Sequence, residues 1–186
     1  MDASPLAGWD NFYVIIGSSA GGLTGLTFVV IALIRDSQRG VRPSGLGTFV
    51  TPTIVHLCGV LALAAFMSMP HQRPVTLSVG LALGGLAGVV YGCVIGINMW
   101  RIGVGATLYI PVREDWIWNV ILPTVVYAAL IVMAVLMWDR LTEVALYGVA
   151  MLALALLFIS IRNAWDIAVW MTMSSAQGDK PDDAKR

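Results

Sequence analysis

The sequence predicts an all-α, polytopic membrane protein with five transmembrane helices, and three observations carry that reading. Of the 186 residues, 58% are hydrophobic and only 12% charged, against about a quarter charged in an ordinary soluble domain. Five stretches are long and apolar enough to cross a hydrocarbon core about 30 Å thick, which takes about 20 residues at about 1.5 Å each. They are residues 12–34, 46–69, 75–100, 116–138 and 144–161. Trp9, Trp100, Trp116, Trp118, Trp138, Trp165 and Trp170 all stand at or near the ends of these stretches, where an interfacial aromatic belt belongs.

The first helix follows MDASPLAGWD, which has no basic region, and it is too long for the apolar core of a signal peptide, so it is expected to be retained. It carries a short glycine series, Gly17, Gly21 and Gly25. The second helix contains PTIVHL, with Pro52 removing a backbone donor and His56 one turn later. The third reads GLALGGLAGVVYGCVIG, with glycine at 80, 84, 88, 92 and 96. Glycine costs about 1 kcal/mol relative to alanine in a soluble helix, so its repeated use here predicts close backbone approach. A four-residue period drifts about 40° per step around a helix, so either one strongly crossed neighbour or two neighbours share the stripe. Packing within one chain and self-association into a homo-oligomer both satisfy that pattern. The fourth helix contains PTVVYA, with Pro123, Thr124 and Tyr127. The fifth ends in RNAWD, where Arg162 and Asp166 stand four apart and are expected to form an ion pair at the membrane interface. Residues 1–173 form one transmembrane domain, with the fifth helix extended along the interface to 173; the polar segment 174–186 is expected to be disordered.

Two alignments suggest an internal duplication. GGLTGLTF at 21–28 lies over GGLAGVVY at 84–91, and PTIVHL at 52–57 lies over PTVVYA at 123–128, in the same order. The pattern predicts two parallel hairpins, helices 1 and 2 and helices 3 and 4, with helix 5 added. It also makes His56 and Tyr127 equivalent positions. Lys and Arg fall nine on one side of the membrane and two on the other, which places the N-terminus outside and the C-terminus in the cytoplasm.

His56 lies about ten residues, about 15 Å, into its helix and therefore near the midplane. An ionisable side chain at that depth is a functional candidate, because leaving it unpaired in hydrocarbon costs several kcal/mol. One reading is a neutral imidazole hydrogen-bonded to Tyr127, a threonine or a carbonyl freed by proline near Thr48 or Asn119, locking two helices together. The other is a pore or ion site built from His56, Tyr127, Thr53 and Thr124 and titrating near neutral pH. Met67, Met69 and His71 offer a thioether and imidazole set of the kind that suits Cu(I); methionine filling at a helix end is the plainer account. Cys58 and Cys93 lie in apolar runs and read as small buried hydrophobes rather than a disulfide. No cofactor is implied. The eleven Lys and Arg balance eleven Asp and Glu, so nucleic acid is not an expected partner. Without GxSxG, HExxH or a Walker motif, no enzyme is expected.

WDNFYVIIGSSAGGLTGLTFVVIAL in the first helix and RNAWD in the last resemble a group of small bacterial integral membrane proteins of unknown function, some labelled modulator of the FtsH protease. The resemblance implies a bacterial inner membrane and allows an interaction role with another membrane protein. It brings no functional residue with it. Two functions follow: an oligomeric channel or carrier, built as a homo-oligomer, for a small ion or solute centred on His56, or a non-transporting accessory or regulatory subunit of a larger membrane complex.

Overall fold

The computed structural model describes residues 6, 8–37, 46–105, 112–139 and 141–178, with the side chains of 33–37, 46–49, 102–105 and 170–178 excepted. Every regular element among them is helical: α1 (Asp10–Ser37), α2 (Leu46–Met67), α3 (Pro74–Gly105), α4 (Arg113–Trp116), a π-helical turn (Ile117–Ile121), α5 (Leu122–Trp138) and α6 (Thr142–Gly178). The short α4, the π turn and α5 run on as one span, so five helices are long and apolar enough to cross a membrane.

The bundle is built from two antiparallel pairs and a closing helix. α1 packs on α2, α3 packs on α5, and α6 lies against α5, α2 and α1. Trp9 at the start of α1 meets Tyr147 at the start of α6, with ring centroids 5.0 Å apart. The Ser78 hydroxyl, near the start of α3, donates to the Ala134 carbonyl near the end of α5 at 2.6 Å. These contacts define one end of the bundle, and the junction of α4 with the far part of α6 defines the other. The core between them is aliphatic, with Leu57, Val60, Leu77, Leu81, Val149 and Leu156 fully enclosed. Large apolar side chains such as Ile15, Leu83, Val132 and Phe158 point outward along every span, as lipid contact requires.

Helix ends depart from simple apolar counting. α3 continues to Gly105 and α6 to Gly178, because neither proline nor, in α6, any glycine between 149 and 177 interrupts the chain after its last apolar residues. At about 1.5 Å per residue, the 37 residues of α6 span about 55 Å, well beyond the hydrocarbon core. Residues 174–178 are therefore helical, not part of a disordered tail; 179–186 lie outside the described residues. α2 stops at Met67 because Pro70 disfavours helix in the residue before it. The Ser68 hydroxyl donating to Ala64 O at 2.9 Å and the Gln72 amide donating to Phe66 O close its end. The fourth span starts at Arg113, three residues before the first tryptophan, where the Asp115 carboxylate accepts from the Val112 N–H at 2.9 Å. Trp100, Trp138 and Trp165 are exposed near the helix ends. Arg39, Arg42, Arg140, Lys180, Lys185 and Arg186, together with the Thr48, Arg35 and Trp170 side chains, lie outside the described residues.

The glycine stripe is filled from within the chain. A β-carbon at Gly88 would overlap the Tyr127 ring, one at Gly92 the Thr124 hydroxyl, and one at Gly96 would stand 3.3 Å from Val120. Gly85 joins the series, with the Tyr127 carbonyl 2.8 Å from the same construction. The pairing of 85, 88, 92 and 96 with 131, 127, 124 and 120 is an antiparallel register of α3 against the fourth span. Gly80 faces Phe66 of α2 instead, and Gly84 faces no neighbour. Two neighbours thus share the stripe within the chain, with Gly84 left open. In α1 the equivalent series is looser: a β-carbon at Gly17 would stand 3.2 Å from Ala64 and one at Gly21 3.9 Å from Leu61, while one at Gly25 would meet nothing. The two hairpins that the repeat proposes do not pack alike: the Gly88–Tyr127 contact has no counterpart between Gly25 and His56.

Candidate functional site

Three helices meet at His56. α2 brings the imidazole inward one turn after Pro52, with Pro52 and Thr53 buried on the same face. α5 brings Tyr127, whose hydroxyl lies 3.2 Å from His56 Nδ1. α3 brings Tyr91, whose ring stands edge-on to the imidazole at a centroid distance of 5.9 Å; the Tyr127 ring lies at 5.7 Å. His56 is 0% exposed, and its second nitrogen, Nε2, is buried with no partner. Leaving a buried polar atom unpaired costs about 1–3 kcal/mol; Tyr13 Oη and Gln72 Oε1 are also buried without a partner, but His56 Nε2 is the one that lies near mid-membrane.

The slot that holds Tyr127 is made by glycine on two helices. Gly88 leaves room for the ring, and the hydroxyl passes Gly59 of α2, where a β-carbon would stand 2.7 Å from the oxygen. Gly59 is a site residue that sequence reasoning missed, since a single glycine in an apolar run has no period to mark it. The His56–Tyr127 pairing is the arrangement that the repeat suggested. Thr124 is placed differently from the expectation: one turn before Tyr127, it donates its hydroxyl to Val120 O at 2.6 Å and packs on Gly92. It repairs its own helix and does not complete the imidazole site.

The proline in the fourth span has an unusual local solution. In the π turn the Leu122 N–H bonds the Ile117 carbonyl, five residues back. By that register the Trp118 carbonyl should accept from residue 123, which is proline and has no N–H. Asn163 of α6 supplies the donor across the bundle, Nδ2 to Trp118 O at 3.1 Å, and Asn163 is 3% exposed. The freed carbonyl is therefore Trp118, one residue before the position that an α-helical register predicts. Arg162 beside it stacks over the Trp118 ring at 4.1 Å, bonds Asp166 at 2.6 Å and lies 3.8 Å from Glu114. The expected Arg162–Asp166 pair is formed, and it belongs to a clamp that holds α6 to the start of the fourth span.

Two other expectations are corrected. Met67 is buried in the core, 1% exposed, whereas Met69 and His71 are exposed in the following turn, where His71 adopts φ 58°. The helix ends between them, so the three side chains do not share one environment and the copper set is not gathered. Cys58 and Cys93 are exposed on the outer, lipid-facing surface of their helices, not buried, and both thiols are free.

The fold and site define a class, a five-helix membrane protein whose interior holds an enclosed histidine–tyrosine pair between two proline-containing helices. Comparison with protein families, with characterised proteins and with solved structures finds no match.

Proposed function

We propose that this chain is a carrier for a small ion or solute in a bacterial inner membrane, with His56 and Tyr127 as its occluded site. The single observation that carries this reading is the enclosed imidazole nitrogen without a partner. The surroundings support it. Interrupted helices beside a mid-membrane polar site are a recurring transporter feature, and π turns concentrate at functional positions. Here the π turn and Pro123 directly precede Tyr127, and Pro52 precedes His56 by one turn. Pro52 inside α2 and the π turn with Pro123 in the fourth span give these two helices places to bend around the site.

Purified protein in liposomes should pass a small ion in a pH-dependent way between about pH 5.5 and about pH 7.5, the interval in which imidazole ordinarily titrates. His56→Gln keeps hydrogen-bonding capacity but cannot titrate there, so the pH dependence should vanish. Absence of flux of protons, potassium, sodium and chloride at both pH values would overturn the carrier reading.

One observation favours a second reading, a non-transporting accessory subunit that binds another membrane protein. Only 11% of the most apolar stretch of α1 is buried, against 50% for α6, and Gly22 and Gly25 present an open backbone face. A helix so lightly held has a free surface for a partner helix.

We place the N-terminus outside and the C-terminus in the cytoplasm, from the distribution of basic residues. Reporter fusions after Arg42, Arg113 and the C-terminus should therefore read cytoplasmic, and fusions after Arg73 and Arg140 outside. One reversed fusion overturns the assignment.

A further inference from the structure

We propose that the His56 site takes a proton and a small monovalent anion together, as a neutral pair. The inference rests on the carrier reading above and names what is carried. No Asp, Glu, Lys or Arg occurs in residues 12–34, 46–72, 75–100, 116–138 or 144–161. A proton on His56 therefore finds no fixed counter-charge at its depth, and an isolated charge in hydrocarbon is strongly disfavoured.

The groups that face the ring are neutral. α5 contributes Tyr127 and α3 contributes Tyr91. The titratable side chains of α1 and α6, among them Asp10, Tyr13, Glu143, Tyr147, Arg162 and Asp166, stand toward the ends of the apolar spans. A protonated imidazole has two N–H donors. Nδ1–H donates to the Tyr127 oxygen at 3.2 Å, and Nε2–H is left without an acceptor in a closed interior. The ligand that satisfies it has to be an acceptor and, to cancel the charge, an anion of one unit. A metal cation fits neither demand: imidazolium repels it and no carboxylate is present to bind it. The flanking tyrosine rings, with centroids within 6 Å of the imidazole, crowd the site and favour a partner of few atoms.

The test uses the full chain in liposomes of neutral lipid with a pH dye in the lumen and chloride as the probe. An inward chloride gradient, imposed at equal pH on both sides, should acidify the lumen. Clamping the membrane voltage with valinomycin and equal potassium should leave that rate unchanged, because the transported pair carries no charge. Replacing chloride with gluconate, or His56 with glutamine in a variant that elutes and melts like wild type, should reduce it to the rate of protein-free vesicles. Proton entry that persists in gluconate, chloride entry at constant lumenal pH, or flux of potassium or sodium would each overturn the paired inference while leaving a carrier. No flux of any ion would overturn both.

Discussion

Gly88→Ala is expected to destabilise the bundle by about 1–3 kcal/mol, whereas Gly84→Ala, four residues earlier in the same stripe, is expected to be neutral or stabilising by up to about 1 kcal/mol. The contrast follows from what each new methyl group meets. At 88 it would overlap the Tyr127 ring at its base, where turning the ring about its Cβ–Cγ bond cannot remove the conflict and swinging the side chain away would break its contact with His56. Relief requires α3 and α5 to separate, which also loosens Gly85 against the Tyr127 carbonyl and Gly92 against Thr124. Moving Tyr127 further disturbs its 3.2 Å contact with His56. At 84 no atom lies within 4 Å, so alanine gains helix propensity without a clash. Thermal unfolding of the two variants in detergent checks the claim. Equal melting temperatures would mean that the stripe is tolerated for its abundance in membrane helices, not required for the α3–α5 contact.

How much of this was legible in sequence depends on which forces set each feature. The five spans were readable because transfer into lipid demands long apolar runs, and composition reports that directly. Span ends were not, because helices continue through Arg101 and Arg162 once outside the hydrocarbon, and an apolar count stops there. The His56–Tyr127 pair was readable through the repeat, which put the two residues at equal depth on helices running in the same direction. Gly59 and Asn163 were not. Each serves a partner more than 40 residues away in sequence, and neither belongs to a periodic pattern. Cys58 and Cys93 were placed on the wrong face for a related reason: an apolar run in a membrane helix does not separate core from lipid, since both are equally dry. Met67, Met69 and His71 are close in sequence, but the end of α2 between 67 and 69 turns the first inward and leaves the others outside. Proximity along the chain was mistaken for proximity in space.

The clamp between Asn163 and Trp118 gives the other large expected effect. Asn163→Leu should cost about 1–3 kcal/mol, because it leaves the Trp118 carbonyl unpaired in a buried position while preserving side-chain volume. Arg162→Ala should cost less, about 0–1 kcal/mol, since its ion pairs with Asp166 and Glu114 are solvent-accessible, with about 0.5–1 kcal/mol more from the guanidinium over the Trp118 ring. The mechanism makes a sharper claim than either number. Trp118 needs an external donor only because residue 123 is proline in a π register. Pro123→Ala restores an N–H at that position, so the helix gains a donor of its own for the freed carbonyl. The penalty of Asn163→Leu should then shrink in the Pro123→Ala background, giving a coupling of about 0.5–3 kcal/mol between residues on different helices. Unfolding free energies of wild type, both single variants and the double variant close the cycle. If the two effects simply add, the asparagine holds α6 to the fourth span for reasons unrelated to the proline, and the π turn must be stabilised by packing instead.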